Sequence, residues 1–243
     1  MCCFSGPVTS VDSTKIFARM IAPGRQALIY QMKLYATAPV AMILPIPIPA
    51  RSPDDAVRFI SLERYPELFD DLQRVFPEVR MRGGGPVSGF APPPLTVHSV
   101  GAFVASFVPS LPDFTRLDPR FRIPAGTLER VPDYADWGFA VFQLDVKPNA
   151  ETKIHPMAFE FPTRDPRRLF FPTVHIHDGK LHKKARFSHV LYGQGITASD
   201  WRTIDSLEGA VDEQRVHRLV DCAGGLSTKS LAGELPNCDV WTA

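Results

Sequence analysis

Proline sets the first limit on what this chain can fold into. It occurs 24 times in 243 residues, about twice its usual frequency, and it falls between short apolar runs. A residue with fixed φ and no backbone N–H ends helices and interrupts sheet ladders. The chain therefore reads as many short, sharply ended strands rather than long helices. Runs of bulky and β-branched residues at 14–20 ("TKIFARM"), 26–36 ("QALIYQMKLYA") and 39–46 ("PVAMILPI") predict three early strands. "PIPIP" at 45–49 lacks three ladder donors and predicts an extended edge or a crossover, not a central strand. Further strands are expected at 95–108, 137–146, 155–162, 167–177 and 185–194.

Two segments change character. Pro66 suits a first helical turn, and Leu68, Phe69, Leu72, Val75 and Phe76 recur at helical spacing, which predicts a helix over 66–76. Residues 197–221 also read as helical, with Thr197 or Ser199 as cap and Trp201, Ile204 and Leu207 on one side. Between the strands, "MRGGGPVSGFAPPP" at 81–94 is a flexible Gly/Pro loop, a boundary or a mobile lid, and no Gly-Lys-Ser/Thr follows its glycines to cradle a phosphate. The polar tail from Ala223 is expected to wrap the surface loosely. Strands, one helix, more strands and a helical end predict a single domain over 1–243. Its class is α+β: a predominantly antiparallel β sandwich or half-barrel with a few flanking helices.

Composition removes several classes of function. Lys and Arg number 27 against 26 Asp and Glu, so a net charge of +1 supplies no field to recruit nucleic acid or an anionic membrane. The longest apolar run, 39–50, is too short and too proline-broken to span a bilayer. The opening "MCCFSGPVTS" has neither the basic start nor the apolar core of a secretory signal, so a cytoplasmic location is expected. Four cysteines, Cys2, Cys3, Cys222 and Cys238, then read as free thiols or ligands, with a Cys222–Cys238 bridge as the alternative.

The candidate chemistry lies in "VHIHDGKLH". Asp178-Gly179 is a strong signal for a two-residue hairpin turn. A type I′ turn there pairs His175 with His182 and His177 with Lys180, so His175, His177 and His182 share one face while Val174, Ile176 and Leu181 share the other. Opposed Cβ atoms lie about 4.5–5.5 Å apart, close enough for imidazoles to converge on one ion. Three neutral imidazoles with an open position suit zinc, copper or iron, and one of Cys2 and Cys3 would add a soft ligand. The competing reading is an ordinary polar hairpin face, because Lys180 and Lys184 share it and oppose a dication. His155 and His189 are further ligands or second partners in the first reading, and hydrogen-bonded structural histidines in the second.

The N-terminus offers different chemistry. Once Met1 is removed, Cys2 combines a thiol with an α-amine of pKa about 7.7–8.0, near enough to neutral to act as its base. "CCFSGPVTSVDSTKIFARM" resembles the opening of N-terminal-nucleophile hydrolases of the bile-salt and penicillin-V acylase kind. That resemblance implies Cys2 as nucleophile and Arg19 as the arginine beside the thiol. Ala18 replaces the expected Gly, and the Asn and Asp expected just after Arg19 are missing.

Over residues 2–195 the chain resembles a family of uncharacterised bacterial proteins, a domain of unknown function, with a Cys-Gly-Phe-like start, a Gln-x-x-Leu strand and a Val-Pro-Val-Pro segment. Here "CCF", "QALIYQM", "PVAMILPIPIP", "WGFAVFQL", "MAFEFPT" and "LFFPTVHI" carry the likeness. It implies architecture and no mechanism. Three functions follow. The first is a metal-binding protein, or a small metalloenzyme activating water or oxygen on a small-molecule or peptide substrate. The second is an N-terminal cysteine amidase. The third is a non-enzymatic binding or scaffold protein whose proline-bounded edges engage a partner.

Overall fold

A computed structural model describes residues 2–6, 8–76, 104–117, 134–144, 146, 150–176 and 180–242. The strands are β1 (Cys2–Phe4), β2 (Val8–Ala22), β3 (Arg25–Ala36), β4 (Val40–Ile46), β5 (Arg58–Ser61), β6 (Val104–Val108), β7 (Gly138–Leu144) and β8 (Ala150–Lys153). They continue with β9 (Met157–Pro162), β10 (Leu169–Phe171), β11 (His175–Ile176), β12 (Lys184–Gly193), β13 (Arg202–Ile204), β14 (Leu226–Pro236) and β15 (Val240–Thr242). A helix α1 (Leu68–Arg74) and a 3-10 turn (Leu111–Arg116) complete the elements. This is the β-rich α+β class that the punctuation by proline predicts.

One sheet runs β13-β14-β12-β2-β3-β9-β5, with β8 also on β3, and the second runs β11-β1-β4-β7-β6. Pairing is antiparallel except at β1–β11 and β2–β12. The sheets pack face to face: Phe142 of β7 meets Phe59 of β5 and Phe159 of β9 at ring-centroid distances of 5.5 and 5.7 Å. Alternation in the central strands explains why both faces of the larger sheet are covered. Ile16, Ala18, Leu28, Tyr30, Met32 and Leu34 point into the core between the sheets. Phe17, Ala27 and Ile29 point outward and are covered by Leu68, Phe69 and Leu72 of α1 and by Leu207, Val216 and Leu219.

Pro45 lies within β4 and registers with Phe139 of β7, while the β1 register on the other side covers only Met42 and Ile43. Among the described residues no β1 residue registers with Pro45, a position where a missing N–H is tolerated. The carbonyl of Pro47 accepts the N–H of Arg164 at 2.9 Å, and that of Ile48 accepts its Nη2 at 2.7 Å.

Three expectations change. Residues 197–221 form no helix among the described residues; they run as turns around β13, with His217 and Arg218 at φ 52° and 59°. Trp201 joins the core between the sheets while Leu207 joins the outer one, so their helix-like spacing serves two opposite faces. Asp212 accepts the N–H of Gln214 and of Arg215, a side-chain turn that competes with helix. The segment after Ala223, expected to be loose, supplies β14 against β12 and β15 against β10. The histidine hairpin does not pair as expected either: His175 and Ile176 pair in parallel with Cys2 and Cys3 instead of folding back on 180–183. The turn 177–179 and the loop 81–94 lie outside the described residues.

Candidate functional site

The site is built where the first strand enters the sheet. β1 lies between β11 and β4, with Cys2 in register with His175 and Cys3 with both Ile176 and Ile43. Cys3 and Ile176 are 1% and 2% exposed and belong to the core. A thiol there packs as a small apolar group and is withdrawn from any metal on the opposite face.

His175 is half-buried. Its ring lies over Phe187 at 4.6 Å and beside His189 at 4.8 Å, with interplanar angles of 35° and 31°. The two Nε2 atoms are 3.1 Å apart, so one ring donates and the other accepts. Two imidazolium rings there would place like charges in contact. His189 reaches this position because Phe187, His189 and Leu191 of β12 alternate inward while Arg186 and Ser188 are exposed.

The backbone around His175 is held by the C-terminal segment. Asn237 Oδ1 accepts the His175 N–H at 2.7 Å, and its Nδ2 donates to the carbonyls of His175 and His182 at 2.9 and 3.0 Å. Asp239 Oδ1 accepts from the N–H groups of Thr173 and Val174 at 2.8 and 3.0 Å, and its Oδ2 accepts the Tyr134 hydroxyl at 2.5 Å. Sequence reading passes over both residues. Their only local signal is Asn and Asp in "PNCD", ordinary turn formers. Beside this clamp lies an open cleft of about 430 Å³ flanked by Ser10, Asp12, His175, His182, Arg186 and Asn237.

The structure thus brings His175 and His182 to one cleft and sets His189 against the His175 ring. His182 is exposed and contributes its backbone to Asn237; His177 lies outside the described residues. Among the described residues no group of three or more His, Cys, Asp or Glu side chains is placed to hold a metal ion. The reading of the chain as a metal-binding protein or metalloenzyme built on a histidine cluster is corrected on this ground and by the fold likeness reported below. Its physical cause is the β1–β11 pairing, which removes the register that opposed His175 to His182.

Arg19 does not join the N-terminal strand. It sits on β2 in the larger sheet, donates from Nη1 to the carbonyl of Arg218 at 3.4 Å and places Nη2 3.6 Å from Asp221. It lines a separate cavity with Arg167, Arg168 and Gln194. Cys222 and Cys238 are free thiols, so the bridge between them does not form. Burial, with Glu213, Asp221 and Asp212 nearby, pushes the Cys222 thiol above its ordinary range, which disfavours the thiolate.

With this geometry in view, the solved structures give a consistent likeness. The chain is similar to the crystal structure of baculovirus P35, with a TM-score of 0.50 and 14% identity over 97% of this chain and 96% of that chain. It is also similar to a mutated baculovirus P35 after caspase cleavage (TM-score 0.46, 14% identity, 96% and 97% covered) and to P35 in a caspase-8/P35 complex (TM-score 0.45, 12% identity, 95% and 95% covered). No protein-family model matches the chain, and no curated protein matches it. At this identity the first likeness is one of fold: a two-sheet β sandwich shared almost end to end. The neighbours are baculovirus proteins, and this fold likeness gives no support to a metal-binding function. Among the described residues no helix is long and apolar enough to cross a membrane.

Proposed function

We propose that this chain is a non-enzymatic protein-binding molecule that inhibits a caspase-class protease. The carrying observation is the near end-to-end fold likeness to P35, 97% of this chain against 96% of that one, together with the capture of P35 in a complex with caspase-8. The likeness spans the fold from β1 to the C-terminal clamp, so the shared part is a complete architecture and not one common motif. Two surface features suit a protein partner. Among the described residues β6 is an outer edge of its sheet, the kind of edge that accepts an added strand. Val104 on that edge is 61% exposed, and Leu181, at a second cleft with Tyr134, Trp137 and Trp241, is 40% exposed, the kind of apolar side chain that a partner covers.

The experiment is direct. Purified chain is mixed with active caspase-8 and with other caspases, and each mixture is run on size-exclusion chromatography with light scattering. A stable co-eluting complex with at least one caspase is expected. Independent elution with every caspase would overturn the reading.

A further inference from the structure

The cavity around Arg19 is unused by the protease-binding reading, and it has the chemistry of a site in its own right. About 290 Å³ in volume, it is lined by three arginines, Arg19, Arg167 and Arg168, and by one acidic residue, Asp221. We propose that it binds a phosphoryl group, as inorganic phosphate or at the end of a small phosphorylated molecule.

Arg19 is the centre of the argument. Its side chain is only 23% exposed, yet its two contacts are long: 3.4 Å to the Arg218 carbonyl and 3.6 Å to Asp221, the second beyond hydrogen-bond reach. A guanidinium carries five donors in a rigid fork, so among the described residues this group, on a residue lining the cavity, has most of its donor capacity unmet. The other two are preoriented. Asp165 accepts from Nε of Arg168 at 2.8 Å and from Nε of Arg167 at 3.4 Å. Among the described residues these are the only side-chain hydrogen bonds either arginine donates, which leaves their terminal nitrogens for a ligand. Arg168 is further fixed by stacking over Trp241 at 4.7 Å.

The wall opposite is rigid. The Gln194 amide donates to the carbonyls of Asp221 and Gly225 at 2.8 and 3.1 Å and accepts the Asp221 N–H at 2.9 Å. A Cβ on Gly225 would come within 2.8 Å of the Ile204 carbonyl oxygen, so this wall stays free of side chains. Guanidinium forks match phosphoryl oxygens two at a time, and three arginines around one cavity offer more donors than a single carboxylate can accept from. The volume is on the order of ten water shares of about 30 Å³. That exceeds a bare phosphate and falls at the small end of ligand pockets.

The test is calorimetric titration of the intact chain with inorganic phosphate, with glucose 6-phosphate as the small organic phosphate, and with acetate, all at one ionic strength. Saturable binding of at least one phosphoryl ligand, tighter than acetate, is expected. Arg19→Gln should weaken it by roughly tenfold or more. Arg167→Gln, at a side chain 87% exposed and therefore neutral for folding, should weaken it as well. Circular dichroism melts without ligand confirm that both variants are folded. Preference for the organic phosphate over the free ion identifies its source as a small phosphorylated molecule. Absence of saturable binding, or equal binding in wild type and both folded variants, would overturn the proposal. Neither result touches the caspase mixing experiment.

Discussion

Asn237 forms three hydrogen bonds to backbone groups with one side-chain amide: it accepts one N–H and donates to two carbonyls. Alanine there leaves those groups without their partner, and net losses of about 1–3 kcal/mol are typical. Asn237→Ala should lower unfolding free energy in urea by that amount, and an unchanged midpoint would show that the clamp is dispensable. Glu160 is a second such residue. Its carboxylate accepts from Arg58 at 2.8 and 2.9 Å and from Arg25 at 3.0 Å. Arg58 first, then Arg25, holds it below the usual carboxylate range against the opposing push of burial. A depressed folded pKa means the stabilisation is present above the unfolded value near 4.3 and is lost as pH falls through the folded pKa. Glu160→Gln should therefore cost about 1–3 kcal/mol at pH 7 and flatten the acid limb of stability against pH. Urea melts at pH 7 and pH 3 read both effects, and an acid limb identical to wild type would refute the assignment. Burial also pushes the Tyr192 hydroxyl up to about 12, so it contributes no titration in that range.

At the scale of elements, the strands were legible wherever one strand's own pattern decides its fate. The runs at 26–36, 39–46 and 185–194 became β3, β4 and β12, because bulky residues at every or alternate positions can be buried only by a sheet covered on one or both faces. α1 was legible for the same reason, since Leu68, Phe69 and Leu72 cover one patch of that sheet. Pairing between distant segments was not. A histidine hairpin is the local solution for "VHIHDGKLH", yet His175 pairs with Cys2 far away in sequence, and nothing in either segment marks the other. The site that did form joins His175 to His189 and Asn237, residues 14 and 62 positions apart. Residues 197–221 failed for a different reason: their apolar side chains recur at helical spacing but divide between two cores. Leu219, 2% exposed in the outer core, separates these accounts. An amphipathic surface helix would tolerate Leu219→Ala with a modest loss, whereas a buried layer should lose about 2–5 kcal/mol, measured by thermal or urea unfolding.

For the whole molecule, the larger sheet is covered on both faces, so a partner would meet the surfaces left over. Near-zero net charge gives no long-range steering, so association with a partner should depend weakly on salt and rest on shape and apolar contact. The function proposed above makes that general statement specific. The most direct measurement is titration of the purified chain into a panel of caspases at fixed peptide substrate, following initial rates of hydrolysis. Inhibition of at least one caspase that rises with added chain to near completion, with no change in an unrelated serine protease, is the predicted result. Undiminished hydrolysis by every caspase at a large molar excess of the chain would contradict it.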